Sequence, residues 1–339
     1  MDLRFEIEDL TLENVLDLYN VDLELEGVDS VLFDFRNMYK VEPLAMLLFS
    51  KRLRSMKAKY PKVSFKATNF DGNSYAAHMG FFKSFGLQHG KQPGEALGSV
   101  TYIPITKLDV KTLRMESYDT DQGVVQEVIV RKAKEMAGIL CGNNLDIKNS
   151  LFQCIREILR NIVEHSESET IWLAAQRWGY QREIEIGILD EGVGIAQTLK
   201  VNPHLTISDV DAALELALQP AISGKAFMYQ GQERGKIDGV WDHSGYGLYI
   251  ASQISKMNGT FFICSGDSSL YISEQTSENI PYDHLGTAIR IRVNLDSLIE
   301  FTQNDIDEII NRGQKIAAEK YSSFALSSAS AASKKSLQN

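Results

Sequence analysis

The sequence predicts an α+β chain in two units, a small α/β layer followed by a larger sheet-and-helix domain. Three observations carry that expectation. Strand and helix signals alternate over the first hundred residues, two long amphipathic helix signals follow, and glycine motifs then sit where later strands and helices meet. At a typical ~150 residues per domain, a chain of 339 residues agrees with two units.

In chain order, Val31–Phe35 is an apolar run with the character of a buried strand, and Pro43 marks a helix start, because proline is tolerated in a first turn. Leu44, Leu47, Leu48, Leu53 and Met56 continue that helix at near-helical spacing. Val63–Ala67 is a second strand, Asn73 is placed to cap a helix running to Gly80, and Val100–Ile103 is a third strand of the first unit. Gln88–Ser99, with three glycines and a proline, is a loop by composition. Helices are then expected over Val124–Leu140 and Leu151–Val163, with strands at Ile171–Ala174 and Ile184–Ile188. The Ser/Ala-rich stretch from Ser322 onward has the composition of a disordered terminus.

Composition narrows the function. Lys and Arg number 35 against 45 Asp and Glu, a net charge of −10, which argues against a general nucleic-acid binder because phosphate attraction needs a basic field. One basic run, Lys51 to Lys66, holds seven cations and no acid; it is either a solvated helix face or a contact surface for an acidic partner. Cys141, Cys154 and Cys264 are too scattered for a disulfide framework or a zinc cage, and the histidines show no metal-ligand or triad spacing. The start, MDLRFEIEDL, has no apolar core of a secretory signal, and no apolar run reaches the ~18 residues of a membrane span. A cytoplasmic protein is expected.

The chemistry is written in three short motifs. Glu157 and Asn161 stand four apart in a helix, which places both on one face, with His165 four further on. The strand ending at Leu189 runs into Asp190-Glu191-Gly192-Val193-Gly194-Ile195. Ser244-Gly245-Tyr246-Gly247-Leu248 opens another helical segment. Taken singly these are a solvated face, a turn and a weak phosphate-loop signal.

Their order and element types together resemble the GHKL ATP-binding fold shared by gyrase-type topoisomerases, the ninety-kilodalton heat-shock chaperone, sensor histidine kinases and mismatch-repair ATPases. Within it the chain looks most like anti-sigma-factor serine kinases and sensor kinases of bacteria. Glu157 and Asn161 match the N box, Asp190, Gly192 and Gly194 the first glycine box, Gly245, Gly247 and Leu248 the second, and Gly286-Thr287 the Gly-Thr near the fold's end. The resemblance spans about Gln122 to Asn294. It implies a Bergerat-type sandwich, a mixed sheet with helices on one face.

It further implies ATP and magnesium as cofactors. Asn161 would hold the ion through its amide oxygen, and Asp190 would accept from the adenine amino group. Gly192 and Gly194, followed by Ile195, would let the backbone pass close to the base. Ser244, Gly245, Tyr246, Gly247 and Leu248, with Thr287, would face the nucleotide, helped by the helix N-terminus. Glu157 would polarise the attacking water or hydroxyl, worth ~10²–10⁴-fold as a general base. Ser223 and Lys225 either contact phosphates or belong to an ordinary surface loop.

The expected units are a domain over 1–106, the ATP-binding domain over 107–300 with a mobile lid over 196–244, and a C-terminal helix with a disordered tail over 301–339. The first resembles a STAS-like domain, the fold of anti-sigma-factor antagonists, on the strength of Val31–Phe35, the Pro43 helix, Val63–Ala67 and Asn73–Gly86. Its turn Asn37–Pro43 lacks the switch serine of those proteins, so a docking role is expected. Glu164, three after Asn161, stands where sensor kinases carry a basic residue and looks more like the hydrolysing members. No phospho-acceptor histidine helix precedes the domain. The resemblance therefore implies an ATPase or protein serine/threonine kinase in a signalling or stress switch, with a nucleotide-gated binding module as the alternative. A protein partner is expected and a homodimer remains open; a membrane or nucleic-acid partner is not expected.

Overall fold

The computed structural model describes residues 1–20, 24–120, 124–142, 144–229, 232–234 and 245–325. Ser244, residues 235–244 of the expected lid and the tail 326–339 lie outside the described residues. The chain opens with β1 (Asp2–Glu6), α1 (Leu12–Asn20), β2 (Ser30–Asp34), α2 (Pro43–Lys59), β3 (Ser64–Thr68), α3 (Ser74–His78) and α4 (Phe81–Ser84). These strands form a parallel sheet in the order β1-β2-β3, as helical crossovers between successive strands allow.

Next come β4 (Tyr102–Asp109), α5 (Val110–Thr120), α6 (Val125–Cys141), α7 (Leu145–His165), β5 (Thr170–Trp178), β6 (Glu183–Asp190), α8 (Gly194–Leu199) and α9 (Val210–Ala217). The remaining elements are β7 (Phe227–Tyr229), β8 (Gln232–Arg234), α10 (Gly247–Asn258), β9 (Gly259–Ser273), β10 (Ser277–Asn294), α11 (Leu295–Glu300) and α12 (Gln303–Lys320). A second sheet has the order β4-β5-β6-β10-β9. It was expected to be mixed, but each described junction pairs antiparallel, since β5–β6 and β9–β10 are hairpins; parallel pairing is confined to β1–β3.

Both faces of the second sheet are buried, and strand alternation assigns each side chain to one of two cores. Ile171, Leu173, Ala175, Ile186 and Ile188 enter the core shared with α6, α7, α10 and α12. Trp172, Ala174, Leu189, Phe262 and Ala288 enter the other, shared with α2 and the first unit. The second unit's own helices α6, α7, α10 and α12 lie on one face, as expected, and α2 of the first unit covers the opposite one, packing on β5, β6 and β10. The expected boundary at 106 falls inside β4, because Val100–Ile103 leads into a strand that pairs with β5 and not with β1–β3.

Local chemistry explains other departures. Helix α7 begins six residues before the expected start, because the Asn144 side chain accepts from Ile147 N at 2.9 Å and caps it there. Asn73 sits at a cap position without capping. Its amide donates to the Met38 carbonyl at 2.9 Å, and Gly80 at φ 84° separates α3 from α4. The basic run of α2 turns partly inward: Lys51 is buried, and Lys57 Nζ donates to the Phe85 carbonyl at 2.7 Å. The first part of the expected lid is built into the fold, since α9, capped by Asp209, buries Ala213 and Leu214 and lies on β9, where Ser268 donates to Asp211.

Helix α2 has no acid in its first turn and no side-chain cap of its own; a strand supplies one. Glu185 of β6, fully buried, accepts from Leu44 N at 3.1 Å and lies 3.1 Å from Arg290 and 3.6 Å from Arg292. Arg292 in turn pairs with Glu42 at 2.8 Å and Glu183 at 2.6 Å. Removing one member of a buried ion set leaves the others uncompensated. Glu185→Gln should therefore cost ~3 kcal/mol in urea unfolding, with both cores lost in one transition. An unchanged midpoint would show that the pairing does not hold α2 to the sheet.

Candidate nucleotide-binding site

One cleft gathers residues from α7, the β6–α8 turn, the loop at 222–224, the start of α10 and the end of β10. Its frame is the register of β6 with β10, which sets Asp190 opposite Thr287 and Ile188 opposite Ile289. Residues two apart on a strand share a face, so both pairs look toward α7. Spacing of four on α7 brings Glu157 and Asn161 to the same cleft.

Of the residues singled out from sequence, Glu157, Asn161, Asp190, Gly194, Ile195, Ser223, Gly245, Gly247, Leu248 and Thr287 line the cleft. Four others do not. Gly192 serves the protein's own packing: a Cβ there would lie 1.9 Å from the Ser166 carbonyl oxygen, so the residue is small to let the β6–α8 turn pass the end of α7. Tyr246 is fully buried with its ring against Gly313 of α12; burial pushes its hydroxyl up to about 12. Lys225 Nζ donates to the Glu164 carbonyl at 2.5 Å, anchoring its loop to the C-terminal end of α7. Ser244 is outside the described residues.

The chemistry of the cleft is uneven. Asp190 is 1% exposed at its floor, and burial pushes its carboxyl up to about 7, opposed by hydrogen bonds from Gly192 N at 2.8 Å and from Thr287 N. Glu157 is 3% exposed and shares Oε1 with Arg156, whose Nη2 and Nε lie 2.5 and 3.1 Å away. Its Oε2 faces Gly247, where an added Cβ would fall 2.5 Å from it, so only glycine lets the start of α10 close on this carboxylate. Asn161 Nδ2 is buried with no hydrogen-bond partner among the described residues. Among the described residues no side chain caps α10, which leaves the N–H groups of its first turn with capacity for an anion.

Sequence reading missed several lining or supporting residues. Ile158, Ile188, Ile222 and Ile289 give the cleft apolar walls, and strand parity with Asp190 and Thr287 could have found two of them. Arg160 also lines it; its Nε contacts both Glu164 oxygens at 3.1 Å, so Glu164 is committed to a neighbour on its own helix. Ser265 of β9 carries no local signal, yet it accepts from Ile195 N at 2.9 Å and donates to the Gly286 carbonyl at 2.7 Å, tying the two glycine turns together.

Residues 146–297 match the family described as histidine kinase-, DNA gyrase B-, and HSP90-like ATPase. That span runs from the first turn of α7 into α11 and contains all the lining residues named above. No curated protein matches the chain.

Because the Asp190 carboxyl stands higher in the folded chain than in the unfolded one, its contribution to stability is whole below about pH 4 and is lost as pH rises through about 7. His284, fully buried on β10 and pushed down to about 3 by burial, acts with the opposite sign: its contribution fades as pH falls below ~6.5. Asp190→Asn keeps an acceptor for Gly192 N and isolates the first effect. Relative to this variant, wild-type protein should lose stability between about pH 4 and about 7, read from denaturation midpoints across pH. Parallel curves would show that the Asp190 carboxyl is not raised.

Proposed function

We propose that the chain, through the ATPase-type domain at 146–297, binds ATP with magnesium and acts on a protein partner, hydrolysing the nucleotide or passing its terminal phosphoryl group to that partner. The convergence of Glu157, Asn161, Asp190 and Thr287 with a helix start that no described side chain caps on one apolar-walled cleft carries this reading. The fit is chemical. Asn161 presents a buried amide with spare hydrogen-bonding capacity, and its oxygen is the hard type of donor that magnesium takes. When bound, the ion neutralises phosphate charge, and Asn161 is the residue that would hold it.

The remaining work falls to the chain's own groups. Asp190, in its ionised form, accepts from the amino group of the base at the cleft floor, while Ile188 and Ile289 exclude water around it. The first turn of α10 offers N–H groups to phosphate oxygens. Glu157 Oε2, held beside Gly247, accepts the proton of the attacking water or partner hydroxyl. The first unit, fixed to the back of the sheet by α2, is the docking surface for the protein partner in a signalling switch of the anti-sigma or stress-response kind.

A second reading, a nucleotide-gated binder with little turnover, is favoured by one observation. Arg156 holds Glu157 Oε1 at 2.5 Å with both side chains buried, so one of the two carboxylate oxygens is already committed inside the protein.

Two variants separate the readings. Asn161→Ala should weaken magnesium-dependent ATP binding in calorimetry. Glu157→Gln keeps an oxygen for Arg156, so binding should stay near wild type while phosphate release falls ~10²-fold or more. Wild-type hydrolysis in Glu157→Gln would remove Glu157 as the base. Tight binding with negligible turnover in the unmodified protein, alone and with candidate partners, would favour the gated binder.

A further inference from the structure

Helix α2 belongs to the first unit, yet it touches the turn that carries the cleft's buried carboxylate. Arg54, in its last third, makes three contacts with three different elements. Its Nη2 pairs with Glu191 Oε1 at 2.7 Å, its Nη1 donates to the carbonyl of Ser84 at 3.2 Å, and its guanidinium carbon stands 4.4 Å from the Trp172 ring centroid. Glu191 immediately follows Asp190, and its backbone N–H donates to Ser168 Oγ at 3.2 Å. One residue further, Gly192 N closes back on Asp190 Oδ1 at 2.8 Å. The Asp190–Gly192 turn is therefore gripped from the cleft side by its own hydrogen bonds and from the opposite side of the sheet by α2.

The grip is not an isolated surface pair. Trp172, beneath the guanidinium, stands opposite Leu189 in the β5–β6 register, and both side chains lie in the core shared with the first unit. Lys51, one turn earlier on α2, is buried in the same layer. The N-terminal end of α2 is held independently through Glu185 and Leu44 N. Helix α2 is thus fixed to β6 at both ends of that strand, near Glu185 at its start and at Glu191 just past its finish.

We propose that Arg54 is a positioning residue for the nucleotide cleft. Through Glu191 it holds the Asp190–Gly192 turn where the base is received, so a shift of α2 within the first unit changes nucleotide affinity. The inference rests on reading the cleft as a nucleotide site and adds a route by which the first unit governs it. By linkage the same route runs in reverse, with nucleotide occupancy altering how the first unit holds α2.

The test uses the full chain with MgATP, in calorimetry, for Arg54→Ala, Arg54→Lys, Glu191→Gln and the double variant Arg54→Ala/Glu191→Gln, each checked for wild-type unfolding midpoints. Arg54→Ala should weaken affinity about fivefold, the scale of a partly exposed ion pair worth ~1 kcal/mol. Arg54→Lys, which keeps the charge but not the forked contact, should restore part of it. The double variant should be no weaker than Glu191→Gln alone, because both substitutions break one link. Glu191→Gln, at a partly exposed side chain, keeps the test open should Arg54→Ala fold poorly. Unchanged affinity in Arg54→Ala, or losses that add in the double variant, would overturn the proposal. If the unmodified protein binds no MgATP, the nucleotide reading itself fails; amide exchange at residues 191–195 of the ligand-free chain then decides the positioning role, faster exchange in Arg54→Ala supporting it and equal exchange overturning it.

Discussion

The pairing of β6 with β10 is the constraint on which the rest depends. Setting Asp190 against Thr287 brings together two chain positions nearly a hundred residues apart and fixes which side chains of both strands face α7. A slip of one residue would turn Ile188, Asp190, Thr287 and Ile289 to the other face and dismantle the cleft and both cores at once. Burial of that sheet on both faces is what makes the register so strongly specified.

Burial on two faces also accounts for the ionic character of the first unit's attachment. A helix buried against a sheet needs an acceptor for its first N–H groups, and α2 carries none in its own first turn. Glu185 supplies it from the strand, and Arg290 and Arg292 then balance the carboxylate. Such a set is costly to desolvate, and a well-packed apolar replacement is often no less stable. Its physical advantage is directional: an apolar contact tolerates sliding, whereas a carboxylate on a single N–H fixes where the helix begins.

The same economy of fixed contacts shapes the cleft. Glu157, Asp190 and Ser223 already have partners inside the protein, and only part of each group's bonding capacity remains for a ligand. Ser265 and the loop at 221–226 hold the glycine turns from behind through hydrogen bonds within the chain itself. A turn fixed by its own chain costs less to order when a ligand binds.

Much of this was legible in the residues themselves. Spacing of four on α7, a carboxylate at a strand end and glycines ahead of a helix are local patterns, and local patterns survive translation into structure because helix and strand periods fix which neighbours share a face. The strands and helices over 31–68 and 124–190 were legible for the same reason. Tertiary structure alone decided what depends on contacts distant in sequence. It paired β4 with β5 and so moved the unit boundary, carried α2 to the back of the sheet, and spent part of a basic run on Glu191 and on a main-chain carbonyl. It also turned Tyr246 into the core and gave Gly192 to the Ser166 carbonyl. Sequence determines periodicity and local conformational freedom; which surfaces meet is settled only when burial and pairing are satisfied together across the whole chain.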